Sequence, residues 1–340
     1  MCPISISIVA AQAKGVADTA GAGKQSVLRG AESGVFKPPV EKVLWPHRLI
    51  SGGLAEDGEN GKGATIMRAT ISIMMALLTF IWGGMACSSE TTILTVGGTG
   101  SGLGFMRLLG EAYSALFPEV SFKVLPSLGT AGGIRAVSNA ALDLAVASRQ
   151  LNDKEKEGLN VYFLGESPFV FAVHPATEVE DVTLAEVANI YNGTIPAWRD
   201  GTRVRRILRP HTDSDWQLMS GLSPELAGAL EISRENEGLF LAITDTDAVS
   251  YLERVRGSFG PSTLAMILAE KRNVKILSLG GIQPGIADPG KGRYPLVKPY
   301  YLLARAEASV PVEAFITFIR SDRGRQILAQ VGIMPASEQR

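Results

Sequence analysis

The sequence predicts an α/β protein of two lobes, each a mainly parallel sheet flanked by helices. Two observations lead to this prediction. From about Thr92 to the end of the chain, short β-branched and apolar runs alternate with segments of helical periodicity, and glycine-rich turns join several of the runs to the segments that follow. Parallel sheets of this kind bind ligands at the carboxyl ends of their strands.

The first lobe is predicted to begin with a strand, a glycine-rich turn and a helix in the segment ILTVGGTGSGLGFMRLLGEAYSALFP. One face of this helix carries apolar residues at helical spacing, namely Phe105, Leu108, Leu109, Ala112 and Leu116. A strand ending in Ser127 follows, then a turn and helix in GTAGGIRAVSNAA and a buried strand in LDLAVASR. The apolar run PFVFAVHP is predicted to be the next strand.

The second lobe is predicted to begin with a helix in TLAEVANIYNG, with a capping box from Thr183 to Glu186 and an end at Asn192-Gly193. After it come a strand in VRRIL, a turn in RPHTDSD, helices in SPELAGALE and TDTDAVSYLERV, and strands in VKILSL and YPLVKPYYLLA. Helical pattern continues through PVEAFITFIRSDRGRQILAQVG. The chain is expected to cross between lobes near Val173 and to return near Val274, giving residues 88–173 and 274–340 to the first lobe and 174–273 to the second, joined by a two-strand hinge.

The segment 67–87 has the three regions of a secretory signal peptide: Met67-Arg68, the apolar run ATISIMMALLTFIW and the small residues before Cys87. The apolar run is shorter than the roughly 20 residues of a membrane span. Cys87 resembles the acylated cysteine of a lipoprotein signal, although Gly84 stands where leucine is usual. We expect translation to start at Met67 and residues 1–66 to be a disordered upstream extension. The alternative is a cytoplasmic tail followed by a signal anchor.

Composition excludes several classes of function. The 340 residues carry a net charge of -1, and the arginines of the segment 203–209 form no long basic tract, so nucleic-acid binding is not expected. The chain has two cysteines, Cys2 and Cys87, and three scattered histidines, which predicts neither a disulfide nor a zinc site in the folded part. It lacks the G-x-S-x-G and H-E-x-x-H motifs, so we expect a non-enzyme without a cofactor.

Six motifs occur in the order found in one family: GGTGSG at 97–102, SLGTAGG at 127–133, DLAVASR at 143–149, IYNGTIPAW at 190–198, ILRPHTDSD at 207–215 and YPLVKPYYL at 294–302. On these motifs the chain resembles the phosphate-binding proteins of ABC importers, which have the two-lobed type II periplasmic-binding fold. The resemblance implies an exported protein of the periplasm or cell envelope. Such a protein is expected to be a monomer that captures phosphate or a related small oxyanion for a permease and contacts the membrane only through a lipid on Cys87.

The expected ligand residues lie in the glycine turns and at two strand ends. Backbone N–H groups at a helix start and flexible glycines suit an anion, which predicts one edge of the site at Thr99, Ser101 and Gly102 and another at Gly129, Thr130 and Ala131. Arg209 stands where the family has its ligand arginine, and a guanidinium binds an oxyanion as a bidentate fork. Arg149 either faces the same cleft or forms an ion pair at the rim of its lobe.

The family arginine is followed by a Ser-Gly-Thr turn, whereas this chain has Asp213, Ser214 and Asp215. Ser214 with Gln217 is predicted to form a capping box, while two carboxylates oppose the binding of an anion. Three interpretations follow: a carboxylate accepts the proton of hydrogen-phosphate while Arg149 and Arg209 compensate the charge; the ligand carries a cationic or hydroxyl-rich part; or the protein is a ligand-free sensor or interaction protein.

Overall fold

The computed structural model describes residues 91–235, 239–285 and 294–334, which belong to one compact unit. Its strands are β1 Thr92–Gly98, β2 Val120–Val124, β3 Leu144–Ala147, β4 Leu159–Val173, β5 Asp181–Val182, β6 Arg205–Leu208, β7 Phe240–Leu241, β8 Ser258–Thr263, β9 Lys275–Ile276, β10 Ser278–Leu279 and β11 Val297–Arg305. Its helices are α1 Gly100–Ser114, α2 Gly129–Ser138, α3 Asp153–Lys156, α4 Leu184–Tyr191, α5 Ser214–Ser220, α6 Pro224–Arg234, α7 Asp245–Arg254, α8 Leu264–Ala269, α9 Val310–Arg320 and α10 Asp322–Gln330.

The sheet of lobe 1 has the strand order β2-β1-β3-β11-β4. Strand β1 is parallel to β2 and β3, and β11 runs antiparallel between β3 and β4. An apolar core forms where α1 and α9 pack on this sheet, with Phe105, Tyr300 and Phe315 fully buried. This alternation of strands and helices carries the first-lobe loops to the carboxyl ends of β1 and β3.

The sheet of lobe 2 begins on the last residues of β4, which pair with β8 and β9. Strands β8, β6 and β7 then run parallel to one another, and β5 pairs with β10 in a separate two-stranded sheet. Phe171 and Phe259 stack with their rings 5.6 Å apart, and Tyr191 and Trp198 pack around Phe259. The motif IYNGTIPAW therefore contributes to the core of lobe 2.

Two strands join the lobes, but the crossings differ from the predicted ones near Val173 and Val274. Strand β4 pairs with β11 up to Pro168 and with β8 from Phe169, so the first crossing lies within this strand. The return comes at the start of β11, because Leu277 and Leu296 still belong to the core of lobe 2. The apolar run on either side of the first crossing is continuous, so periodicity gives no sign of the change of lobe.

Most local predictions agree with the structure, and several differ. The strand predicted to end at Ser127 ends at Val124, and the strand predicted in VKILSL is divided into β9 and β10. The capping box of Thr183 and Glu186 is present, and α4 ends at Tyr191 with Asn192 as its C-cap, as predicted. Leu116 lies beyond the end of α1 and is 51% exposed, so it does not belong to the buried face. The N-cap of α5 is Asp213, whose side chain accepts from the Asp215 N–H, rather than Ser214. Strand β8, with its glycine and proline, was not predicted.

The predicted extension 1–66 and the predicted signal segment 67–87 with Cys87 lie outside the described residues. Within the described part of the chain, no helix is both long and apolar enough to cross a membrane.

Candidate functional site

Polar side chains from both lobes meet at the carboxyl ends of the strands. Thr99 and Ser148 follow β1 and β3 of lobe 1, and Arg209 follows β6 of lobe 2. Gly98 makes the first turn possible, because its φ of 115° is unfavourable for other residues and an added Cβ would lie 2.2 Å from the Val146 carbonyl oxygen. Because the three strand ends face one gap, their polar groups meet between the lobes.

Hydroxyl groups form a buried network around Ser148. Its Oγ lies 3.1 Å from Thr130 Oγ1 and 3.2 Å from Thr99 Oγ1, and Thr99 Oγ1 is 3.1 Å from Ser101 Oγ. The same Ser148 Oγ lies 3.0 Å from Ser214 Oγ of lobe 2. Hydroxyl groups both donate and accept hydrogen bonds, so this network can rearrange around an oxyanion without leaving a buried group unpaired.

Arg209 is 3% exposed, and its guanidinium group binds within lobe 2. Nε and Nη2 donate to Asp213 at 3.2 and 3.0 Å, and Nη1 donates to the Ala242 carbonyl at 2.8 Å. Asp215 and Asp245 also lie near the guanidinium, at 3.6 and 3.7 Å. The fork that the resemblance assigns to a ligand is therefore occupied by the carboxylate of Asp213.

Lys298, on β11, is completely buried and donates to Asp215. Burial by itself lowers the pKa of a lysine, but Asp215, Asp245 and Asp213 together raise the pKa of Lys298 above its usual value. Burial raises the pKa of Asp215 to about 6 against the opposing effect of Lys298. This pair places a second cation beside the guanidinium, at the hinge between the lobes.

Asp245, the first residue of α7, reaches lobe 1. Its Oδ2 accepts from the Ser101 N–H at 3.1 Å and lies 3.4 Å from Thr99 Oγ1, at the N-terminus of α1. Although burial opposes ionisation, Arg209, Lys298 and the Ser101 N–H hold the pKa of Asp245 below its usual value. With Asp213 and Asp215, the cluster has three carboxylates for two cations, Arg209 and Lys298.

The structure brings seven of the predicted site residues into this cluster: Thr99, Ser101, Thr130, Arg209, Asp213, Ser214 and Asp215. The other four lie differently. The Gly102 N–H donates to the Thr99 carbonyl and its Cα packs close to Val146, the Gly129 N–H points at Ser127 Oγ, and Ala131 is exposed. Arg149 forms a bidentate pair with Glu155 in its own lobe.

Three residues of the cluster were missed: Ser148, Asp245 and Lys298. Ser148 lies beside the predicted Arg149 at the end of DLAVASR, and Asp245 begins the helix of TDTDAVSYLERV. Lys298 offered a clearer signal. It shares an alternating strand face with Tyr300 and Leu302, and a lysine on a buried face requires an anionic partner.

Comparison with known proteins identifies the family of the chain. A family model described as a PBP superfamily domain matches residues 86–323, which is more than half of the chain. The chain belongs to the PBP superfamily. The α/β architecture with its two lobes agrees with this membership.

Two similar proteins bear the name of phosphate-binding proteins. The phosphate-binding protein PstS 2 of Streptococcus pneumoniae is 30% identical over 105 residues, which span 31% of this chain and only 36% of the relative. The phosphate-binding protein PstS of Bacillus subtilis is 22% identical over 255 residues, covering 72% of this chain and 81% of the relative. Among solved structures, a phosphate ABC transporter substrate-binding protein of Clostridium perfringens with bound phosphate has a TM-score of 0.60 at 18% identity, covering 72% of this chain and all of that one. This likeness shows the shared fold.

Proposed function

We propose that this PBP superfamily member is an extracytoplasmic solute-binding protein that captures phosphate or a related small oxyanion for an ABC importer. One observation carries the proposal: the Thr99, Thr130, Ser148 and Ser214 hydroxyls form one network between two lobes. Asp245, which accepts from the Ser101 N–H beside this network, also lies 3.7 Å from the Arg209 guanidinium. A carboxylate oxygen already rests on the Ser101 N–H and Thr99. These donors therefore bind an anionic oxygen in the orientation that an oxyanion needs.

Capture would proceed by closure of the lobes around the solute, without covalent chemistry. Ser101 and Thr130 belong to lobe 1 and Arg209 and Ser214 to lobe 2, so a ligand bound to all of them holds the lobes together. The names of the relatives support phosphate as the solute. The partner in this proposal is the permease of the importer. Export through the segment 67–87, a lipid on Cys87 and a monomeric state belong to the same proposal.

A second candidate function follows from the excess of carboxylates. An incoming dianion meets three aspartates and two cations in a buried site, where like charges repel strongly. A solute that carries a cationic or hydroxyl-rich part in addition to its oxyanion would pair with both kinds of group. In this candidate the protein remains a solute-binding protein and the ligand differs.

A thermal-shift series with phosphate, sulfate, molybdate and amino acids tests the proposal. A ligand at 100 times its dissociation constant stabilises a protein by about 2.7 kcal/mol, so we expect phosphate to raise the melting temperature. If phosphate gives no shift and an amino acid or another cationic solute does, the second candidate is correct.

The matched variants are Arg209→Lys and Arg149→Lys. Each keeps the positive charge and removes the planar fork. We expect the substitution at Arg209 to abolish phosphate binding and the one at Arg149 to preserve it, measured by titration calorimetry. Arg209→Ala is less informative, because it leaves the buried Asp215 and Asp245 and the partly buried Asp213 with Lys298 alone and threatens the fold.

A further inference from the structure

The side chain of Asp245 is not required where it begins α7. Thr244 is the N-cap of this helix, and a complete capping box links Thr244 and Asp247. Asp245 is therefore not part of the capping box of its own helix. Its carboxylate extends from lobe 2 to the first residues of α1 in lobe 1. It is only 8% exposed there.

The fit of Asp245 against α1 is close. A Cβ added to Gly100 would lie 2.9 Å from Asp245 Oδ2 and 3.1 Å from Asp245 Cβ, so the carboxylate fills the space beside the helix start. The Ser101 N–H, Thr99 Oγ1 and Arg209 all surround it. A carboxylate at a helix N-terminus is favourable, and burial strengthens the interaction further.

We propose that Asp245 is an internal substitute for the ligand: it closes the cleft in the absence of solute, and an oxyanion must displace it from the N-terminus of α1. Ser148 and Ser214 add a second contact between the lobes at 3.0 Å. The closing contact stands independently of the solute, whereas the displacement step rests on the proposed function.

Two consequences follow for binding. A protein held closed by its own carboxylate has a small binding-competent fraction, which weakens the apparent affinity for a solute in proportion. Asp245 also contributes one of the three negative charges that repel an incoming anion. It would therefore determine specificity, because only a solute that binds the α1 donors better than a carboxylate can open and refill the site.

The first experiment compares the solute-free wild type with Asp245→Ala by small-angle scattering and by hydrogen exchange of the Ser101 amide. We expect the variant to have a larger radius of gyration and about tenfold faster exchange at Ser101, since the partner of that N–H is gone. The substitution leaves Arg209 and Lys298 with Asp213 and Asp215, two charges of each sign, so the fold should survive. An unchanged radius with unchanged exchange would overturn the closing role.

Asp153→Ala is the matched control. Asp153 occupies the same first position in α3, behind a complete capping box of Asn152 and Glu155, but it is exposed. Its substitution should change neither the radius nor the Ser101 exchange. Gly100→Ala provides a second route to the same result, because its methyl group would crowd the Asp245 side chain, and Ser127 Oγ of lobe 1 beside it, without altering any charge.

The second experiment measures phosphate affinity by calorimetry at fixed salt. We expect Asp245→Ala to bind phosphate about tenfold or more tightly than the wild type, and Asp153→Ala to match the wild type. Equal or weaker binding by Asp245→Ala would refute the displacement step. If no protein binds phosphate while the radius still responds to Asp245→Ala, the proposed ligand is wrong and the closing role of Asp245 holds.

Discussion

Lys298 shows how a single buried charge depends on its partners. Its ammonium group is completely buried and rests on Asp215, with Asp245 and Asp213 also raising its pKa. A buried ion pair adds little to stability compared with apolar side chains, but removing one member leaves the other charge uncompensated.

We expect Lys298→Met to lower the free energy of unfolding by about 3–5 kcal/mol, because three carboxylates then face Arg209 alone. Urea denaturation at pH 7 measures the change. The double variant Lys298→Met with Asp215→Asn should regain at least half of the loss. If the two losses simply add, the pair is not coupled and the interpretation fails.

The buried Asp215 makes stability depend on pH. The native state holds its proton more tightly than the unfolded chain, since the pKa rises from 3.8 to about 6. Between these values the native state binds more protons, so stability falls as pH rises through this window. Asp245 acts in the opposite direction, because its pKa is lowered and its contribution is lost in acid.

Comparison of the wild type with Asp215→Asn isolates the contribution of Asp215 to the pH dependence of stability. The stability of the wild type relative to the variant should decrease by about 2 kcal/mol from pH 4 to pH 6.5, which is most of the effect expected at about 1.36 kcal/mol per unit of raised pKa. Urea denaturation at each pH gives both curves, and the contributions of carboxylates outside the cluster cancel in the difference. A difference that is flat or rises across this range would contradict the raised pKa.

At the scale of elements, two helix starts with similar residues make a natural comparison. Thr183 caps α4 through a complete capping box, whereas Ser309 at the start of α9 makes no side-chain cap hydrogen bond. We expect Thr183→Ala to destabilise the protein by about 1 kcal/mol and Ser309→Ala to have almost no effect. Thermal unfolding measures both; equal losses would mean that the side-chain bonds of the Thr183 cap contribute nothing.

The sequence predicted those elements whose signals are local. The capping box of α4 and the glycine turn before α1 consist of neighbouring residues, so their chemistry can be seen in a short segment. The N-cap of α5 could not be assigned in this way, because Asp213 competes with Ser214 for the cap and also binds Arg209. Strand β8 lacks a local signal because it gains its stability from β4 and β6 on either side.

The candidate site was predictable only in part, because some of its contacts join residues far apart in the sequence. Thr99 and Arg209 follow strand ends and Thr130 lies at the start of α2, where the alternation of elements places ligand groups. The contact between Asp245 and Ser101 joins residues 144 positions apart, and its existence depends on how the lobes meet. A single sequence does not show which residues of the two lobes come into contact.

At the scale of the whole molecule, Gly165 of β4, the strand that joins the lobes, packs against the end of the described chain. Its φ is 139°, an added Cβ would lie 2.3 Å from the Met334 carbonyl oxygen, and the neighbouring Glu166 forms a two-way backbone bridge with Met334. Gly158 also has a positive φ, of 71°, but open space around its Cα.

We expect Gly158→Ala to destabilise by about 1–2 kcal/mol, through its backbone conformation alone. Gly165→Ala should destabilise by roughly 1–3 kcal/mol more, because overpacking is added to backbone strain. Urea unfolding compares the two. Equal losses would show that the Met334 backbone moves aside without penalty.

Strand β4 runs without interruption from the lobe 1 sheet into the lobe 2 sheet. A twist distributed over its backbone dihedrals can therefore rotate the lobes apart while the ladders on both sides stay paired. Opening must break the polar contacts in the gap and also disturb the packing of α8 on α1, where Ala265 belongs to the lobe 1 core and Arg107 pairs with Glu270. The polar contacts are the part of this balance that lies outside the cores. Single substitutions among these polar side chains can therefore shift the balance between open and closed lobes without changing the apolar cores.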